Sequence, residues 1–165
     1  MPSKGKAKGN NYEREIAGHL GQVFNLNFER VPNSGAFIGG KNKSRISRLT
    51  VSQQLLAQGD IIVPEELAHI TIECKNYKDF AWPSLFSEAK QLDGWIEQGK
   101  SDDKYWFVIF KINRCGSRVV FDKKYQSVLK IAGNYMIYKD TIITELDGFF
   151  ELNKDAVLQL NNSYV

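Results

Sequence analysis

Apolar residues recur at the helical period early in the chain. Tyr12, Ile16, Leu20 and Phe24 lie four apart, the spacing of one face of an α-helix. Asn10 or Asn11 stands where a side-chain cap would begin such a helix, so residues 1–11 are expected to form a flexible basic arm ahead of it. Phe28–Val31 predicts a short strand, closed by the turn sequence Pro32-Asn33-Ser34-Gly35. Residues 36–59 are Gly-rich, then polar and basic, with a helical turn expected around Ser52–Ala57.

Beyond residue 59 the pattern favours strands. Asp60–Val63 and His69–Lys75 flank Pro64-Glu65-Glu66-Leu67-Ala68, which predicts a hairpin. Trp82–Gly99 has helical character, weakened by Gly94. Tyr105–Ile112 is the most apolar strand-like run, and Arg118–Phe121 is expected to pair with it across Asn113–Ser117. A strand near Tyr135–Tyr138 and a helix beginning near Thr144 complete the series. The order predicts an α+β fold, a central mixed β-sheet flanked by helices. One domain is expected over residues 12–165, with 122–165 a C-terminal extension to which the pattern assigns no packing.

The composition, 42% hydrophobic and 25% charged over 165 residues, is that of a globular chain with a sizeable core. No apolar run approaches the roughly 20 residues that cross a bilayer, and the N-terminus lacks the apolar stretch of a secretory signal. Cys74 and Cys115 are too few for a disulfide framework, so the chain reads as a cytoplasmic, intracellular protein with no membrane association. Residues 1–59 hold nine Lys or Arg and three acids, whereas residues 60–165 hold thirteen and sixteen. No acid lies between Glu29 and Asp60, while Arg30, Lys41, Lys43, Arg45 and Arg48 accumulate there. Such a segment suits phosphate binding, or equally a loop kept solvated by its charge.

Candidate chemistry centres on His69–Lys75. Alternation along a strand puts Ile70, Ile72 and Cys74 on one face, and Thr71, Glu73 and Lys75 on the other. A carboxylate and an ammonium thus share one face about 7 Å apart, and Asp60 on the neighbouring run adds a second carboxylate. Two carboxylates with open positions suit Mg²⁺, a hard ion that keeps waters and shares phosphate oxygens. Such an ion polarises a phosphodiester and activates water, and a lysine beside it stabilises developing charge. A strand face alternating charges for solubility reads the same way. His69 shares the face but lies about 13 Å along the strand from Glu73, too far to join it. His19, the cysteines and Trp82, Trp95 and Trp106 read as structural.

Gly59-Asp60-Ile61-Ile62-Val63 followed by Glu73-Cys74-Lys75 resembles the core motif of PD-(D/E)XK nucleases. The pattern looks closest to archaeal-type Holliday junction resolvases and related small phage-encoded nucleases. Lys8-Gly9-Asn10-Asn11-Tyr12-Glu13-Arg14-Glu15 resembles the N-terminal helix of that group, where one glutamate completes the metal site; the matching position is Glu13. Val31-Pro32-Asn33-Ser34-Gly35 resembles its serine-bearing turn. Trp95-x-x-Gln98, then Phe107-Val108-Ile109-Phe110-Lys111, resembles its closing helix and strand. The motifs span residues 8–121, with a longer stretch between Ser34 and Asp60 than the group's compact pattern. Helical geometry agrees for Glu13, which falls within the apolar sector of Ile16, Ala17, Leu20, Val23 and Phe24, whereas Glu15 points away. A first-turn glutamate that favours the helix dipole is the ordinary alternative.

This resemblance implies a restriction-endonuclease-like fold and a Mg²⁺-dependent DNA endonuclease, with Mn²⁺ as substitute. Asp60, Glu73 and Glu13 would hold the metal, and Lys75 would position or activate the water; Ser34, Gln98 and Lys111, with Lys41, Lys43, Arg45 and Arg48 from the basic segment, are the residues expected to meet DNA. It implies branched or four-way DNA as substrate; the two-fold symmetry of such a junction predicts a homodimer, with Tyr135, Tyr138, Phe149 and Phe150 as interface candidates if they are not core. A restriction- or repair-type endonuclease on linear duplex and a catalytically idle DNA-binding protein are the alternatives.

Overall fold

The structure, a computed structural model, describes residues 4–32 and 58–160. Helix α1 (Lys4–Phe24) leads into strand β1 (Glu29–Arg30), which pairs antiparallel with β2 (Ile61–Ile62). Strand β3 (Ile70–Tyr77), helix α2 (Lys90–Gly99), strands β4 (Tyr105–Ile112), β5 (Gly116–Asp122), β6 (Tyr135–Tyr138) and β7 (Thr141–Glu145), and helix α3 (Phe149–Gln159) follow. The main sheet runs β3-β4-β5-β7-β6. β3 and β4 are parallel, joined through α2, and the remaining pairs are antiparallel. This is the mixed sheet with flanking helices that the pattern predicts.

Packing explains which runs became which elements. Tyr12, Ile16, Leu20 and Phe24 are all buried, so the predicted stripe seats α1 on the sheet. α1 lies against the face of β3 that carries Cys74 and Asn76, since the Asn76 amide donates to the Lys8 carbonyl at 3.5 Å. α3 joins it on that side through Phe150, whose ring meets those of Phe24 and Phe107. α2 covers the opposite face, where Trp95 packs on Tyr77 and Phe110. Tyr105 through Phe110 are consequently buried without a break, as expected for a central strand covered on both faces.

Three expectations are corrected. The basic arm of residues 1–11 is helical from Lys4, well ahead of Asn10. Lys8 explains the extension, because its side chain donates to Asn113 at 2.8 Å and its carbonyl accepts from Asn76 at 3.5 Å, and tertiary contact outweighs the glycines' poor propensity. Asp60–Val63 does not form a hairpin with β3: Ile61 and Ile62 pair instead with Arg30 and Glu29. Pro64 opens a 3-10 turn whose Leu67 is fully buried, and this anchor draws the connection away from a hairpin loop. Thr141–Glu145 is a strand rather than the start of a helix. Thr, Ile, Ile and Thr are β-branched and stiff at χ1, and the helix begins only after Gly148. Residues 122–160 therefore supply two of the five main strands and α3. Tyr138, Phe149 and Phe150 are core, which leaves Tyr135 as the exposed aromatic of the four interface candidates.

Candidate active site

β3 forms one edge of the main sheet, and two of its backbone groups are taken by Asp60. The Asp60 N–H donates to the Ile72 carbonyl at 2.8 Å, and the Cys74 N–H donates to Asp60 Oδ2 at 2.8 Å. These two bonds fix a carboxylate, 7% exposed, against the strand bearing Glu73 and Lys75. Gly59 makes the approach possible. Its φ is +73°, and a Cβ there would stand 2.5 Å from the Ile72 carbonyl oxygen, so the turn into Asp60 requires a residue without a side chain.

Glu73 and Lys75 share the α2 face of β3, as alternation predicts. Lys75 Nζ donates to Glu73 Oε1 at 2.6 Å and to Gln98 Oε1 at 2.6 Å. Gln98 lies in the last turn of α2, followed by Gly99, where a Cβ would meet Val108 Cγ2 at 2.7 Å and Glu73 Cβ at 3.0 Å. The helix end thus lies flush on Glu73, and Gln98 is carried to Lys75. Burial acts to lower the Lys75 pKa, but the charge and hydrogen bond of Glu73, with the charge of Asp60, outweigh it and raise the value. Lys75 is therefore an ammonium at neutral pH, a donor rather than a proton acceptor. Gln98→Ala should free Lys75 to swing and lower the cleavage rate roughly 10- to 100-fold, the scale of losing an outer orienting group. Single-turnover rates at saturating DNA would show this; an unchanged rate would assign Gln98 to the surface.

Glu13 approaches from the α1 side and is 8% exposed, which bears out its place in the buried sector. Its partner is Arg30 of β1: Arg30 Nε donates to Glu13 Oε2, and a second guanidinium nitrogen donates to Asn10 Oδ1 at 2.8 Å. Glu15 is exposed and pairs with Lys111 at 2.9 Å. Lys111 also lies over the Tyr12 ring, 5.5 Å from its centroid, which places it on the α1 face, away from Lys75. Cys74 sits between the acids. Burial raises its thiol pKa well above normal, and the charges of Asp60, Glu73 and Glu13 raise it further, so the thiol stays protonated.

The structure therefore brings Asp60, Glu73, Lys75 and Gln98 together, and holds Glu13 nearby in an ion pair. Among the described residues no group of three or more His, Cys, Asp or Glu side chains is arranged to hold a metal. Each acid instead has a protein donor: Arg30, Lys75 or the Cys74 N–H. Ser34, Lys41, Lys43, Arg45 and Arg48, and the helical turn expected at Ser52–Ala57, lie outside the described residues. His69 Nε2 donates to the Val157 carbonyl at 2.9 Å, and Trp95 and Trp106 are core. Arg30 was visible in the sequence only as one of several basic residues; its pairing with Glu13 crosses 17 positions and has no local signature.

A family model described as "Phage putative PDDEXK endonuclease" matches residues 4–159. The chain belongs to this family. The class implied by Asp60, Glu73 and Lys75 is thus the class of the family. The match runs past the 8–121 span of the motifs and takes in β6, β7 and α3. No curated protein and no solved structure matches the chain. Membership in this PDDEXK family implies an endonuclease with DNA as substrate, and PD-(D/E)XK nucleases generally use divalent metals. No helix among the described residues is long and apolar enough to cross a membrane.

Proposed function

We propose that this chain is a Mg²⁺-dependent endonuclease that resolves four-way or otherwise branched DNA as a homodimer, with Asp60, Glu73 and Lys75 at the centre of its site. The observation that carries the site is the Lys75 ammonium held between Glu73 and Gln98, with Asp60 fixed at the same strand edge. The donor set is hard carboxylate oxygen, which fits Mg²⁺ or Mn²⁺ and excludes a preference for thiolate-seeking ions. Asp60 and Glu73 would hold the ion directly, and Glu13 would assist from α1. When bound, the ion supplies Lewis-acid polarisation of the phosphodiester and a water of lowered pKa.

The protein's own part follows from the geometry. The two backbone bonds at Asp60 hold its carboxylate without a search among rotamers. Lys75 keeps its proton and directs Nζ at the space beside Glu73, where it orients the attacking water or meets charge developing on phosphate. Gln98 holds that ammonium in place. Ser34, Lys41, Lys43, Arg45 and Arg48, with Gln98 and Lys111, would contact DNA, the basic residues chiefly through phosphates. Lys111 would first have to leave Glu15.

The branched-DNA reading rests on the likeness of the motifs to those of junction resolvases and on symmetry. Two matched cuts on opposing strands of a roughly two-fold junction suit a C2 dimer with two identical sites. An endonuclease acting on linear duplex would use the same site. The metal assignment has its own test. Mg²⁺ and Mn²⁺ should support cleavage, EDTA should stop it, and Ca²⁺ should support binding with little turnover because its looser shell places water less well. Activity surviving exhaustive chelation would reject the metal site.

A further inference from the structure

The edge of the main sheet opposite β3 is β6. From Ala132 to Ile137 every residue is exposed and none is charged. Tyr135, Met136 and Ile137 are 47%, 38% and 51% exposed, and account for half of the exposed large hydrophobics among the described residues. Natural edge strands are usually blunted by charge, proline or a bulge. β6 has no charge or proline, and it pairs with β7 in unbroken register from Tyr135↔Thr144 to Tyr138↔Thr141. Its outer side presents backbone donors and acceptors that an extended strand satisfies in register.

We propose that β6 is the seam at which two copies of this chain join, antiparallel and edge to edge, into one continuous sheet. The inference rests on the dimer reading above and names its surface. The strand is self-complementary. Facing residues of an antiparallel pair share one face of the sheet, so the two-fold axis passes through Met136: Met136 faces the partner's Met136 and Tyr135 faces the partner's Ile137. At the ends Asn134 faces the partner's Tyr138, so no like charges meet. Pairing about this axis is isologous and closed, which uses up both copies' β6 edges and prevents further growth there. β3 lies at the far edge of each copy, so the seam leaves both candidate active sites open to DNA.

Light scattering on the full chain at micromolar concentration, with variants, tests the seam. The wild type should show twice the 18.8 kDa chain mass. Ile137→Lys should raise the dimer dissociation constant at least about tenfold, because each copy would set an unpaired ammonium against the partner's Tyr135 in place of an apolar contact. Circular dichroism and melting should stay close to wild type, since Ile137 is exposed in the single copy. In a Cys115→Ser background, Met136→Cys should yield a disulfide-linked dimer under mild oxidation with diamide, since the two copies of residue 136 face each other across the axis. Facing antiparallel residues have Cα atoms about 4.5–5.5 Å apart, within disulfide reach. A dimer that Ile137→Lys leaves intact and that Met136→Cys fails to link would overturn the seam alone. A monomeric wild type would overturn the seam and the dimer reading together.

Discussion

Glu73→Ala should lower the single-turnover cleavage rate by roughly 100-fold or more while leaving DNA affinity nearly unchanged. Lys75→Ala should do the same, since losing one preorganised charge-stabilising donor costs about 10²–10³ in rate. Affinity survives because phosphate contacts by many Lys and Arg dominate binding. Removal of Glu73 also deletes a negative charge beside the phosphate, so metal-free binding by that variant should tighten slightly. The pair is partly buried, with side chains 16% and 12% exposed; each substitution strands its partner, and a melting curve separates loss of chemistry from loss of fold. Cleavage at the wild-type rate by both folded variants would remove this strand from the mechanism.

Gly59→Ala should cost both stability and activity. A Cβ at φ +73° would stand 2.5 Å from the Ile72 carbonyl oxygen and 2.8 Å from Thr71 Oγ1, and the backbone atom cannot rotate away. Left-handed backbone costs a residue with a side chain about 1–2 kcal/mol, and overpacking adds roughly 1–3 kcal/mol. For a chain of this size the sum corresponds to a fall in Tm of roughly 4–20 °C. Asp60 is the next residue, so its carboxylate should lose the bond from Cys74 N–H and the cleavage rate should fall with it. Calorimetry and cleavage on the same preparation check both effects. A variant that melts and cuts like wild type would mean that the turn relaxes and that Asp60 does not depend on it.

The mixed sheet with its flanking helices was legible in the sequence, and so was the local geometry of the candidate site, for identifiable reasons. Glu73 and Lys75 were readable because strand alternation is local, and Lys75 reached Gln98 because the helix and strand each follow their own period. Glu13 fell in the apolar sector of a regular helix, and it is buried. Long-range partners left no such trace. Nothing local couples Arg30 to Glu13, or seats Glu29–Arg30 beside Ile61–Ile62 in place of a hairpin. The start of α1 and the strand at Thr141–Glu145 were misread because tertiary contacts and β-branched packing overrode cap and period signals. Gly59 stood beside Asp60 in plain view, but its need for positive φ emerges only when Ile72 and Thr71 are placed against it.

The central claim is that this sheet edge cuts DNA with the help of a divalent metal. Its most direct test is time-resolved cleavage of linear, nicked, flapped and four-way DNA by the purified chain with Mg²⁺, together with a supercoiled plasmid carrying a cruciform. Metal-dependent hydrolysis is expected, fastest on four-way DNA, with paired incisions that turn the cruciform plasmid linear in one binding event. Nicked circles alone, with no preference for the junction, would reduce the account to a plain duplex endonuclease. Every substrate remaining intact in the presence of Mg²⁺ would contradict it.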